Sequence, residues 1–449
     1  MTHREGQMSL VLFFNPVGRL THSWRREQSG VEGLLGLEMA AFSAKTIEAA
    51  KFDAFFVSDK ASFDDDPVNP DLNPYEPMVT LGALAAVTEH VGLIATVSTT
   101  FTEPYNMARQ FAQLDFLSNG RSGWNIVTSY SGAQNFAKAM PEKSERYRQA
   151  QDYLTATELI WDAWDDGAVI ADRERGVWAD ASKIHHPDYV GPYFRVHDAL
   201  TMPRMPQGRP VIVQAGQSEE GVAFAARNAE LIFTSQSHLP SAIEFSRRIK
   251  SMASDQFGRD AGTIKIAPGI IPIVGETEAE ANAIADELAD LVTVEVGLRD
   301  LSNQLLGANL SDLDLDSPIP TERLLSLEEA AKSTMLSASR YGNLYRVVTE
   351  ERPTLRQLIR TRTKSQGHHL VKGTPEQIAD RMQGWWDAGA CDGFTVIPAY
   401  MPEGLQRFCD FVVPELQRRG IFRTEYPGTT LRDTLGLERP RVVRETQPA

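Results

Sequence analysis

The chain has 449 residues, 42% of them apolar and 23% charged, with a formal net charge of −15. Such a composition supports a sizeable core, while the acidic balance disfavours nucleic acid and anionic membrane, which need basic surface to displace counterions, and leaves a small molecule as the expected partner. Two cysteines outside any CxxC pair, Cys391 and Cys409, fit a reducing cytoplasm, and neither a signal pattern nor an apolar run of roughly 18 residues predicts export or a membrane span.

From the amino terminus, the first apolar run, 10–14, is predicted as a strand and leads into Gly18-Arg19-Leu20-Thr21-His22-Ser23-Trp24-Arg25. A helical pattern over 37–51 precedes a second strand, 54–57, which closes on Ser58-Asp59. A carboxylate there either accepts a hydrogen bond from a ligand or caps the next helix. Alternation sends one of Phe13 and Phe14, and one of Phe55 and Phe56, to the inner face. After a helix over 78–90, the third strand, 93–97, ends in the hydroxyl run Thr96-Val97-Ser98-Thr99-Thr100. The helix over 106–117 is broken by Asn119-Gly120, and the strand 123–127 within NGRSGWNIVTS then delivers Thr128 and Ser129 at its carboxyl end. Sheets of α/β proteins place their chemistry at such ends.

A helix over 146–163 is followed by 168–206, a long interruption rich in Gly, Pro, His and aromatic residues and expected as a lid or an interface element. The fifth strand, 210–214, runs into Ala215-Gly216-Gln217-Ser218-Glu219-Glu220-Gly221 and a helix over 221–228. Small residues let the backbone approach a phosphate, Ser218 offers a hydroxyl, and the first helical amides face an anion. The P-loop ending is absent, and Glu220 stands where GxSxG needs its second glycine, so serine hydrolysis is discounted. Strands over 231–234 and 264–273 alternate with helices over 242–257 and 276–291, and a second insertion spans 300–370, its part 308–325 acidic and containing prolines. The last helix, 374–388, has Thr374, Pro375 and Gln377 in capping-box register and precedes the eighth strand, 393–397. Eight strands alternating with helices predict a (β/α)8 TIM barrel over 1–437, with an open doubly wound sheet as the alternative and 438–449 as a loosely ordered arm. His185-His186 and His368-His369 are adjacent pairs without helical zinc spacing, so no metal site is expected, while His368 is a candidate proton donor or acceptor in a pocket.

The stretches NGRSGWNIVTS, AAKFDAFFVSD, TVSTTFTEPYNMARQFAQLDFLSNG, VIVQAGQSEEGVAFAA, KGTPEQIADRM and FVVPELQRRGIFRTEYPGTTLRDTLGL together resemble the large component of the two-component flavin monooxygenases. That group, in the bacterial luciferase-like superfamily, includes the nitrilotriacetate, EDTA and dibenzothiophene-sulfone monooxygenases, and the resemblance runs from about Met8 to Leu437. It implies a luciferase-like barrel, a homodimer or homotetramer, that takes reduced FMN (FMNH2) from a separate NAD(P)H:FMN oxidoreductase. With O2 as co-substrate it would oxygenate a small organic molecule, with C–N or C–S cleavage to follow. Residue by residue, the resemblance implies Asp59, Thr96 and Ser98 against the flavin ring, Asn125 and Thr128 beside it, Tyr147 towards the phosphate, and Gly216, Gln217, Ser218 and Gly221 around it. Lys143 stands where relatives carry a histidine and would pair with the phosphate or an acidic substrate. His22 and His368 are the candidate catalytic groups, and Phe14, Arg19 and Phe56 are expected to face the substrate. Two alternatives stand beside this reading: a deazaflavin-dependent hydride-transfer reductase on the same barrel, and a catalytically idle flavin-binding protein.

Overall fold

The computed structural model describes residues 4, 6–20, 22–63, 74–216, 218–331, 338–361 and 367–444. Strands β1 (Ser9–Phe13), β2 (Ala54–Val57), β3 (Gly92–Ser98) and β4 (Ser122–Val127) lie side by side. Two antiparallel hairpins follow outside that sheet, β5 (Val169–Asp172) with β6 (Val177–Ala179) and β7 (Tyr189–Val190) with β8 (Arg195–Val196). The sheet resumes with β9 (Val211–Gln214), β10 (Leu231–Thr234), β11 (Lys265–Val274), β12 (His369–Gly373) and β13 (Gly393–Val396). All its pairings are parallel, in the order β10-β9-β4-β3-β2-β1-β13-β11, and β10 pairs again with β11 from Leu231↔Lys265 onward. That last ladder closes an eight-stranded barrel and removes the open sheet as an alternative. Its strands are the eight predicted from sequence. The unpredicted β12 pairs only with the far end of β11, Ile270↔His369 to Val274↔Gly373. Most of it is only half buried, so it carries no apolar run to betray it.

Alternation along each strand sorts the core into two layers. Val11, Ala54, Phe56, Ile94, Val211, Val213, Leu231 and Ala267 fill the barrel interior, joined by Leu431, Leu435 and Leu437 from the carboxyl-terminal segment. The short helix Leu431–Leu435, held by a Thr430–Asp433 capping box, thus packs under the barrel. Gly92 and Gly123 leave the space that Leu431 takes, since a β-carbon at either would meet its methyl groups. The opposite faces, with Leu10, Leu12, Phe14, Phe55, Leu93, Ala95, Trp124 and Ile126, pack against the helices. Each leucine, isoleucine or phenylalanine among them contributes about 1.5–3 kcal/mol when fully buried.

The insertions are built on this frame. Asp152 of the helix Lys143–Trp161 accepts the Tyr193 and Phe194 amides at 2.9 Å each and the Tyr189 hydroxyl, which moors the β7–β8 hairpin. Within 300–370, Leu301, Leu305, Leu310, Ile319, Leu344, Val348 and Leu358 belong to a separate apolar cluster. The stretch 438–444, expected as part of a loosely ordered arm, is instead tied down because its arginines meet acids: Arg439 bonds Asp166 at 2.7 and 2.8 Å, Arg444 pairs with Asp165, and the Val443 amide reaches Asp162 at 2.8 Å. Among the described residues no helix is long and apolar enough to cross a membrane.

Candidate active site

Three groups of side chains gather where the barrel strands end at their carboxyl side. The first is polar and comes from β3 and β4. Thr96 shares a strand face with the inward Ile94, and register places Asn125 beside it. Asn125 Nδ2 donates to Thr96 Oγ1 at 3.0 Å, whereas the buried Asn125 Oδ1 has no hydrogen-bond partner among the described residues. A buried amide oxygen left without a donor costs about 1–3 kcal/mol, which marks it as an acceptor awaiting a ligand N–H or O–H. One step further out, Ser129 Oγ donates to Ser98 Oγ at 2.8 Å, and Thr100 Oγ1 donates to the Thr128 carbonyl at 2.7 Å. Arg146 donates to the Ser129 carbonyl, joining this rim to the helix Lys143–Trp161.

The second group is an aromatic wall. Phe13, Phe56 and Phe233 meet at ring separations of 5.2, 5.3 and 5.8 Å, and the Arg19 guanidinium lies 5.9 Å from the centre of the Phe13 ring. His368 is stacked on Phe233 at 5.3 Å and 16°. Its imidazole fits because position 269 on β11 is glycine, where a β-carbon would overlap Nδ1. Strand β12, directly after His368, fixes that placement through its ladder with β11. A cation over one ring of this wall and an imidazole over another are groups that can hold an anionic substrate and exchange a proton with it.

The third group is an anion cradle. Ser218 caps the helix Glu219–Asn228, accepting the Gly221 amide at 3.2 Å. Gln214 Oε1, at the end of β9, accepts the Gly216 amide at 2.7 Å and shapes the loop between them. The Tyr147 hydroxyl would lie 3.0 and 2.8 Å from β-carbons placed at Gly216 and Gly221, so both must stay glycine for three segments to converge. The outcome is a hydroxyl pair and a helix amino terminus with backbone close behind, a ready anion site. Lys143 Nζ pairs with Glu220 Oε2 at 3.0 Å. The Glu220 carboxyl is held below its usual range by its own backbone amide and then by Lys143.

The structure thus brings together Thr96 with Asn125, Ser98 with Ser129, Arg19 with Phe13, Phe233 with both Phe56 and His368, and Tyr147 with Gly216 and Gly221, the last also bonded by Ser218. Gln217 lies outside the described residues. Lys143 lies beside that helix, paired with Glu220 in a half-exposed ion pair. Asp59 sits on the loop after β2, its side chain open to solvent yet desolvated enough by neighbouring atoms to raise its pKa, with the Lys60 amide at 2.9 Å opposing that shift and Glu76 adding to it. That loop is fastened to the one after β4 by Asn135 Nδ2 on the Ala61 carbonyl at 2.8 Å and by the Ser62–Ser131 hydroxyl pair at 3.0 Å. His22 is buried at φ 68°, before the short turn Ser23–Arg25, with its ring 6.4 Å from that of Trp24 rather than on the Phe13 wall. Phe14 is a correction. It points outward, 4.8 Å from the Phe55 ring and against Tyr75, and Phe13 takes the inward place because parity follows the pairing Phe13↔Phe56. Sequence reasoning also missed Gln214, Phe233 and Gly269; Gln214 closes a strand as Asp59 nearly does, and that polar strand end was the available signal.

Comparison with known proteins gives the family and the fold. The family described as luciferase-like monooxygenase matches residues 20–391. The chain is 44% identical to N-acetyl-S-(2-succino)cysteine monooxygenase of Bacillus subtilis over 98% of its own length and 99% of the relative's. It is 39% identical to nitrilotriacetate monooxygenase component A of Aminobacter aminovorans over 97% of each chain. Among solved structures, a riboflavin lyase with modified FMN and riboflavin superposes with a TM-score of 0.81 at 29% identity, covering 97% of both chains.

Proposed function

This chain belongs to the luciferase-like monooxygenase family and is a flavin-dependent monooxygenase acting on a small organic substrate, and we infer that it works with reduced FMN delivered by a separate NAD(P)H:FMN oxidoreductase. The observation that carries the flavin is the buried Asn125 Oδ1 without a donor, beside the Thr96 hydroxyl at the mouth of the barrel. A flavin ring edge alternates N–H and carbonyl groups, the complement of such a pair. Ser218, Tyr147 and the first amides of the helix Glu219–Asn228 suit the phosphate that FMN carries. When bound, reduced FMN with O2 supplies the oxygen atom; the chain's own part is to bind, to orient and to exclude water. Phe13, Phe56 and Phe233 provide the dry wall, and His368 is the group stationed to move a proton at its imidazole.

The substrate reading is an organic anion with a C–S or C–N bond to be broken. Arg19 over the Phe13 ring supports the anion in an otherwise acidic protein, and the names of the succinocysteine and nitrilotriacetate relatives support carboxylates on sulfur or nitrogen. The designation of the nitrilotriacetate relative as component A supports a partner that supplies reduced flavin. Two free, buried cysteines suit the cytoplasm, and a homodimer or homotetramer is the assembly expected. An anaerobic titration tests the cofactor: reduced FMN is expected to bind saturably and more tightly than reduced riboflavin or a reduced deazaflavin. Preference for the deazaflavin would reassign the barrel to hydride transfer.

A further inference from the structure

We propose that the base of the β7–β8 hairpin is a binding site for a divalent transition metal of the Zn2+ type, with His186, His197 and Asp198 as ligands. Sequence spacing gives no hint of it, because the partners of His186 lie across the hairpin. The register Tyr189↔Val196 brings the chain before β7 alongside the chain after β8. Ligand atoms of the three side chains then lie within 4.8 Å of one another. His186 Nδ1 and Asp198 Oδ1 are 3.5 Å apart, close to the roughly 3.3 Å that separates two ligands bonded to one tetrahedral Zn2+. The two imidazoles face each other at 5.6 Å and 24°.

Two further observations make this more than a surface coincidence. Asp188 is paired with His197 Nδ1, the carboxylate–imidazole arrangement that orients a metal-bound histidine and raises the basicity of its other nitrogen. The hairpin itself is moored on Asp152, and position 191 must be glycine for that carboxylate to reach it, so the ligands stand on a fixed scaffold. Two imidazoles and a carboxylate suit Zn2+, Co2+, Ni2+ or Cu2+, whereas Mg2+ and Ca2+ favour oxygen alone. All three side chains are exposed, so a cation enters without opening the fold and water completes its shell. A metal here would staple the two sides of the hairpin on the helix that carries Arg146 and Tyr147; it takes no part in oxygenation, and the inference does not depend on the flavin reading.

Tag-free, full-length protein, stripped with a chelator and dialysed, would be titrated with Co2+ while its visible absorption is followed, and Zn2+ would then be added to displace it. One equivalent per chain is expected to saturate the signal, and the doubly substituted His186→Ala/His197→Ala protein to lose it. Asp188→Asn is expected to weaken binding about tenfold or more. His185→Ala, whose ring pairs with Asp165 instead, should bind as the parent does. Since the altered side chains are exposed, circular dichroism and Tm should match the parent in the metal-free state. No saturable one-equivalent signal, or the same titration in the double variant, would overturn the site.

Discussion

Ser218 caps a helix and offers its hydroxyl to an anion, and the two roles separate experimentally. Ser218→Ala is expected to lower stability by about 1 kcal/mol, the usual cost of a lost N-cap. It should also weaken FMN more than riboflavin, which has no phosphate; equal losses would remove Ser218 from the phosphate site. Asn125→Ala removes the orphaned acceptor and the bond to Thr96 together. Here FMN and riboflavin should weaken alike, by about 1–2 kcal/mol or roughly tenfold, in fluorescence titrations. Ser218 stood out in the sequence as a hydroxyl in the small-residue loop before a helix, whereas Asn125, inside β4, was implied only by the family resemblance. The parity of Phe13 and Phe14 was not, since two adjacent aromatics satisfy alternation in either register and only the pairing with β2 decides. Nor could sequence show that Gly269 exists to admit His368, a contact nearly a hundred residues apart in the chain.

At the scale of elements, the eight barrel strands and their helices were readable because both periodicities are strong there, and the Thr374–Gln377 capping box formed as its spacing implied. Strand β12 was not readable, as it borrows its stability from one neighbour. It has a testable signature. His369 on β12 stacks on Trp385 at 4.7 Å, its Nε2 has no hydrogen-bond partner among the described residues, and burial pushes its pKa down to about 4, with Arg381 adding to the shift. The folded state therefore holds this imidazole neutral while the unfolded chain protonates near the ordinary value of 6.5. Its contribution to stability is full above that value and is lost as pH falls towards 4. Tm is expected to drop between pH 7 and 5, and His369→Phe should reduce that drop; an identical pH profile in the variant would show that another group is responsible. The β7–β8 hairpin offers a second check. Asp152→Ala strands the amides of Tyr193 and Phe194, at about 1–3 kcal/mol for a buried group and less where water reaches. Limited proteolysis should cut the variant faster within 186–198, and unchanged cutting would mean that the hairpin is held elsewhere.

For the whole molecule, the barrel interior is closed below by its own carboxyl-terminal segment, and the candidate site lies at the opposite, carboxyl ends of the strands. Leu431→Ala is expected to cost about 2–5 kcal/mol, because the cavity lies inside a ring of strands that cannot collapse on it. A Tm within a degree of the parent's would contradict the plug. The net charge of −15, which disfavours nucleic acid, is compatible with an anionic substrate through local charges such as Arg19, which makes ionic strength a weak lever and Arg19 a strong one. The central claim is oxygen transfer. Protein supplied with FMN, a flavin reductase and NADH under 18O2, with carboxylated thioethers and amines as candidates, should place one labelled atom in an organic product per turnover and release a C–S or C–N fragment. NADH consumed with all the label recovered as hydrogen peroxide, across thioethers, aminocarboxylates, sulfones and alkanes alike, would contradict it.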